Sequence, residues 1–197
     1  MKLEYGITKG QIGCYPWNTN NYMPKTEFSL CRSESGLHLI FKSYEEKIVV
    51  RNLKYNSNVF EDSCVEFFFK PNPDCDDRYL NFEVNAAGVL LLGIGCSRLN
   101  RRLISDISPG IFGIRSSVDI LSINFYEGPA WTIEYLIPYQ FITEFFGKIH
   151  FVKGYHMSGN FYKCGDKTQY PHYGCWNPIK KDVPDFHRPE CFGSLVL

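Results

Sequence analysis

The chain lacks a net charge: 21 lysines and arginines are balanced by 21 aspartates and glutamates. Nucleic-acid binding draws on a basic surplus to neutralise phosphates, so that class is disfavoured, and nothing marks the chain for an anionic membrane surface. No apolar run approaches the ~18 residues needed to read as a membrane-spanning helix. The opening Met1-Lys2-Leu3-Glu4-Tyr5-Gly6 has no apolar core of the kind a signal peptide requires. None of the eight cysteines forms a C-x-x-C pair, which excludes zinc ribbons and thioredoxin-type redox motifs. Several lie inside apolar runs, where a free buried thiol is the natural reading. The missing leader and the free thiols together point to the cytoplasm, or to an extracellular setting if a leader has been removed. The five histidines follow no nucleophile pattern. Linkers and internal repeats are also missing.

What the chain has in plenty is aromatic residues, 16% of the total, with 16 Phe and 13 Tyr. Most are expected to fill a β core, and the remainder suit a surface that stacks on a ligand. Turn signals recur at short intervals: Ser35-Gly36, Pro71-Asn72-Pro73, Ala87-Gly88, Ser108-Pro109-Gly110, Glu127-Gly128-Pro129 and Gly147. Between them the β-rich runs predict strands near 27–32, 37–43, 47–52, 63–70, 78–85, 88–94, 116–124, 130–137, 149–155, 159–163 and 192–197. Closely spaced strands of this kind read as an all-β sandwich or barrel. One short helix is expected over 138–146, with Pro138 near its start. The length suits one domain, residues 1–197.

Two strands are informative by face, because side chains alternate with period two. In 63–69, Val65, Phe67 and Phe69 share one face, whereas Cys64, Glu66 and Phe68 share the other. In 79–85, Leu80, Phe82 and Val84 form one face, and Tyr79, Asn81, Glu83 and Asn85 form the other. The second set offers amides and a carboxylate, groups that bond hydroxyls, although an ordinary solvent-facing strand looks the same. Glu66 interrupts an aromatic run, and a carboxylate there is either paired or used.

The blocks 60–69 and 79–88, then Gly159-Asn160-Phe161-Tyr162-Lys163-Cys164-Gly165-Asp166, Cys175-Trp176-Asn177-Pro178 and residues 186–193, resemble family 9 carbohydrate-binding modules and their free-standing bacterial relatives. The resemblance covers the chain from about residue 28 to its end. It implies a β-sandwich of the type shared with DOMON domains, and a non-catalytic site in which two aromatics clamp a mono- or oligosaccharide. Position by position, the clamp falls at Phe60 and Phe186, and the first carboxylate is Glu66. Glu83 stands where those modules carry an arginine. The late-strand amide falls near Lys163, with Asn160 the alternative, and Lys163 opposite Glu83 would pair with it. Asn81 and Asn85 would orient hydroxyls. Trp176 reads first as core and second as pocket lining.

Other constellations carry less. The loop Asp74-Cys75-Asp76-Asp77 is oxygen-rich and would suit calcium, but it lacks an EF-hand's spacing, and a solvated turn accounts for it. No cofactor is required. Glu66 and Glu83 could act as the acid and base of glycoside hydrolysis, and an aromatic-rich face could hold a peptide or a second copy of the chain. Haem ligation through His156 and Met157 is opposed by alternation, which turns neighbouring residues to opposite faces. The basic run Arg98-Leu99-Asn100-Arg101-Arg102 reads as a solvated loop.

Overall fold

The computed structural model describes residues 7–45, 47–121, 126 and 128–197. Alternation of side chains builds two antiparallel sheets. The first runs β1 (Ile7–Ile12), β2 (Thr26–Arg32), β3 (Gly36–Ser43), β9 (Trp131–Pro138) and β8 (Arg115–Ser116), in that spatial order. The second runs β11 (Tyr173–Cys175), β10 (His156–Cys164), β4 (Cys64–Lys70), β5 (Tyr79–Asn85), β6 (Leu90–Gly95) and β7 (Arg101–Leu103), with β12 (Gly193–Val196) also paired to β10. Two face-packed sheets form the expected β-sandwich. Among the described residues, no helix is long and apolar enough to cross a membrane.

In β9 the pattern is regular: Trp131, Ile133, Tyr135 and Ile137 are buried, and the residues between them are half-buried. Facing them across the interior stand Val65, Phe67, Phe69, Leu80, Phe82 and Val84. Aromatic stacks join the layers. Phe28 lies 3.6 Å from Phe161 between ring centres, and Phe82 lies 5.8 Å from Tyr135. The helix α1 (Tyr139–Phe146) follows Pro138, buries Phe141 and Ile142, and ends at Gly147, whose φ of 73° favours glycine.

Three sequence expectations are revised. Residues 47–52 form no strand, because their backbone donors are taken by side chains. Val49 donates to Ser63 Oγ, and Arg51 and Asn52 donate to the two Asp62 carboxylate oxygens. Residues 149–155 turn instead of extending, through bonds from Val152 to His150 and from Tyr155 to Val152, with Gly154 at φ 82°. Of 116–124, the strand covers Ser116 only, and residues 122–125 lie outside the described residues, as do Met1–Gly6 and Glu127. Strands β1, β7 and β11 carry no alternating apolar signal, and the pattern misses them.

The second sheet is buried on both faces: every residue of β5, and every residue of β4 except Lys70, is inaccessible. Its second face is covered by returning chain. Asn160 accepts from the Asn177 backbone N–H at 2.8 Å and donates to its carbonyl at 2.9 Å. Further along, His187 stacks on Phe68 and bonds to the Tyr79 hydroxyl at 2.7 Å. From the other end, the Trp17 indole donates to the Lys181 carbonyl.

Lys163 points the other way. Its register partner on β4 is Val65, so it enters the interior. There it meets Glu45 at 3.1 Å and His172 at 2.8 Å, fully buried, while Trp131 also donates to Glu45. The expected Lys163–Glu83 pair therefore does not form; alternation forbids it.

Removing one partner of a buried ion pair strands the other charge. Lys163→Met is expected to cost about 3–5 kcal/mol in denaturant unfolding. The double variant Glu45→Gln, Lys163→Met should recover part of that loss; a single variant as stable as the wild type would contradict it. A second expectation concerns pH. Burial, then Arg101 and Arg98, push the His187 imidazole down to about 3 from 6.5, and Asp185 is bonded to its backbone N–H. Below 6.5 the unfolded chain takes up a proton that the folded chain refuses, so this contribution is present above 6.5 and is lost as pH falls toward 3. Relative to His187→Gln, the wild type should lose about 1–2 kcal/mol between about pH 7 and pH 5 in paired unfolding curves. A constant gap between the two proteins would refute the shift.

Candidate functional site

The covered face of the second sheet is not filled completely. A cavity of about 240 Å³ remains, with Glu66, Phe68, Glu83 and Cys164 on its sheet side. Phe60, Asp166 and Tyr173 line one part, Pro184 to His187 another, and Arg98 and Arg101 a third.

Local structure explains each placement. Phe60 sits in a short 3-10 turn, Val59–Glu61, which is tied to the loop after β10 by bonds from Asp166 N–H to the Phe60 carbonyl and from Lys167 N–H to the Glu61 carbonyl. Asp62 ends that turn. Buried, it accepts from the backbones of Arg51 and Asn52 and from the side-chain amides of Asn52 and Asn85. Phe186 stacks on Tyr162 at 4.2 Å between ring centres, and the Tyr162 hydroxyl donates to the Phe186 carbonyl. Trp17 leans on the same ring at 5.9 Å. The aromatic wall is thereby held from behind.

Glu66 and Glu83 stand directly opposite one another on β4 and β5, each 2% exposed. Burial and the neighbouring Glu83 charge hold the Glu66 carboxyl well above the usual carboxylate range, and Cys164 donates to its Oε1 at 2.9 Å. Burial raises Glu83 to about 7, opposed by Arg101, whose guanidinium lies 3.4 Å away, and by a 2.9 Å bond from Asn81. Burial raises Asp166 to about 6, with Glu61 adding to the effect. The two thus differ: burial and its neighbour's charge favour the protonated, donating form of Glu66, while Glu83, held by a cation and an amide, is the better acceptor. Gly93 makes this possible locally, since a Cβ there would stand 2.5 Å from Asn81 Oδ1.

Of the residues singled out in the sequence, Phe60, Glu66, Glu83 and Phe186 meet at this cavity. Asn81 stands just behind it, bonded to Glu83. The remaining four lie elsewhere. Asn85 binds Asp62 and caps the turn after β5. Asn160 pins the returning chain at Asn177, and Lys163 is buried in the interior. Trp176 packs on Phe28 and Phe161, the core position that was its first reading. In the acidic loop, both Asp76 oxygens are gripped by Arg78 and Asp77 pairs with Lys70. A calcium ion beside Asp74, Asp76 and Asp77 would have to displace those cations.

Sequence reasoning missed Arg101, Asp166, Tyr173 and His187. Arg101 belongs to the basic run taken for a solvated loop, but β6 and β7 form a hairpin that brings it to Glu83. Asp166 and His187 fall inside the resembling blocks, although nothing in their spacing marked them.

Against known proteins, residues 3–197 match carbohydrate-binding family 9. A crystal structure of a putative carbohydrate-binding protein from Bacteroides uniformis shares 33% identity, with a TM-score of 0.81 over 96% of this chain and 86% of that one. A family 9 module from Caldicellulosiruptor kristjanssonii, in complex with cellotriose, has 12% identity and a TM-score of 0.60 over 96% of this chain and 82% of that one. In complex with glucose, the corresponding values are 13%, 0.61, 96% and 83%. No curated protein sequence matches significantly. The match along nearly the whole length, on a two-sheet fold with its carboxylate-floored cavity, shows that the chain belongs to carbohydrate-binding family 9.

Proposed function

We propose that the chain binds a mono- or oligosaccharide in the cavity above Glu66 and Glu83 and does not transform it. The observation that carries this reading is the opposed carboxylate pair, Glu66 beside the Cys164 thiol and Glu83 held by Arg101, flooring an aromatic-walled pocket. A sugar hydroxyl both donates and accepts, so a donor beside an acceptor matches it. Phe60, Tyr173 and Phe186 supply apolar surface for the C–H face of a ring, and Phe186 offers it with its other side braced on Tyr162. At about 240 Å³ the space suits a single sugar ring better than a long chain segment. Glucose and cellotriose bound to the related modules support the same chemistry. Binding of this kind requires no cofactor, and residues 1–197 are taken as one binding unit. Affinity should be modest, because each hydroxyl exchanges a bond to water for a bond to protein.

Calorimetric titration with glucose, cello-oligosaccharides and a panel of other neutral sugars tests this. At least one sugar should release heat. Glu66→Ala and Phe186→Ala should each weaken that binding by roughly 5–30-fold, about 1–2 kcal/mol. Asp74→Ala, at a residue outside the cavity lining, should leave it unchanged. Silence across the panel from folded protein would overturn the reading, and release of reducing sugar would replace binding by hydrolysis.

A further inference from the structure

The cavity floor holds a second chemistry, in which two cysteines join the Glu66 carboxylate that the sugar reading also uses. Cys64 and Cys164 are direct register partners on β4 and β10, and Glu66 lies two residues along β4 on the same face. Their ligand atoms, two Sγ and a carboxylate oxygen, all lie within 4.8 Å of one another, and Cys164 Sγ is 2.9 Å from Glu66 Oε1. Among the described residues this is the one such group of cysteine, histidine and carboxylate side chains. From the floor of the cavity, we infer that Cys64, Glu66 and Cys164 form a site for a thiophilic divalent cation of the zinc class, with its fourth position open to the cavity.

The geometry fits. A tetrahedral zinc ion with bonds of about 2.3 Å to sulfur and about 2.0–2.2 Å to oxygen sets its ligand atoms about 3.5–3.8 Å apart. Here Cys164 Sγ and Glu66 Oε1 stand 2.9 Å apart and all three atoms lie within 4.8 Å of one another, so their separations bracket those values. All three come from paired strands rather than a loop, so the site is rigid. Two thiolates and one carboxylate favour a borderline-soft ion over calcium or magnesium, which take oxygen ligands. Glu66 and Cys164 border the cavity and provide a path of entry, whereas Cys64 is closed off behind them. On binding, the ion replaces the protons of both thiols and of the Glu66 carboxyl, which leave to solvent. The resulting unit of net negative charge faces Arg98 and Arg101 on the cavity wall. Only thiolates ligate, so uptake must release protons and should strengthen with rising pH.

The test uses the full chain, kept reduced with a phosphine, and Co²⁺ as the probe. The wild type should take up one Co²⁺ per chain, with a thiolate-to-cobalt charge-transfer band and the visible bands of a tetrahedral site, and Zn²⁺ should erase both. Cys64→Ser and Cys164→Ser should remove or halve the charge-transfer band, while Cys75→Ser, at an exposed thiol, should leave it intact. Glu66→Gln keeps both thiols and the shape of the side chain, which guards against loss of fold in the serine variants. It should retain the band but weaken Co²⁺ binding by more than the about tenfold expected for loss of an outer partner. Absence of a thiolate band in folded wild type overturns the inference. So does a band that survives in the folded Cys64→Ser, Cys164→Ser double variant, or Co²⁺ binding by Glu66→Gln as tight as that of the wild type. The readout needs no sugar, so it stands or falls apart from the sugar reading.

Discussion

The register of β4 between β5 and β10 is the constraint on which the rest of the molecule depends. It sets Tyr162, Glu66 and Glu83 in one row across three strands. The odd-numbered residues of β4, Val65, Phe67 and Phe69, then meet the interior, and the even-numbered Cys64, Glu66 and Phe68 meet the covering chain. A slip of one residue would exchange the two sets. Glu66 would then enter the aromatic interior, and Phe67 and Phe69 of β4 would floor the cavity. The stacks of Phe161 on Phe28 and Phe67 hold that register from the interior side.

The same row brings two carboxyl groups together away from water. Like charges so placed do not both ionise readily, and the protein resolves the conflict unequally. Glu83 receives Arg101 and Asn81, whereas Glu66, among the described residues, receives a thiol as donor. A difference in how readily each carboxyl gives up its proton is the outcome. It arises from which neighbours each strand position sees, not from any difference between the two side chains.

Much of this was legible in the residues. Alternation in 63–69 and 79–85 separated the interior set from the polar set correctly, and the resemblance singled out Phe60, Glu66, Glu83 and Phe186, which the fold brings to one cavity. What alternation could not show is that the polar set would be roofed. Burial of a second face depends on residues 176–192 folding back, and their anchors, Asn160, Tyr79 and Tyr162, look like ordinary strand residues. Lys163 shows the same limit. Counting along β10 assigns it a face only once the partner strand is known, and its partner is Val65. Arg101 was hidden for a related reason: a hairpin between β6 and β7 carries no alternating signal, yet it delivers the cation that Glu83 needs.

The double burial of β4 and β5 has a consequence for how such a domain can diverge. A residue on the cavity floor is at once a ligand contact and a packing element, so exchanging it disturbs stability together with recognition. Arg98, Asp166, Tyr173 and Asp185 lie on the rim in loops or short edge strands, each less enclosed than the floor residues. New ligand preferences within this architecture are therefore most accessible to variation at the rim.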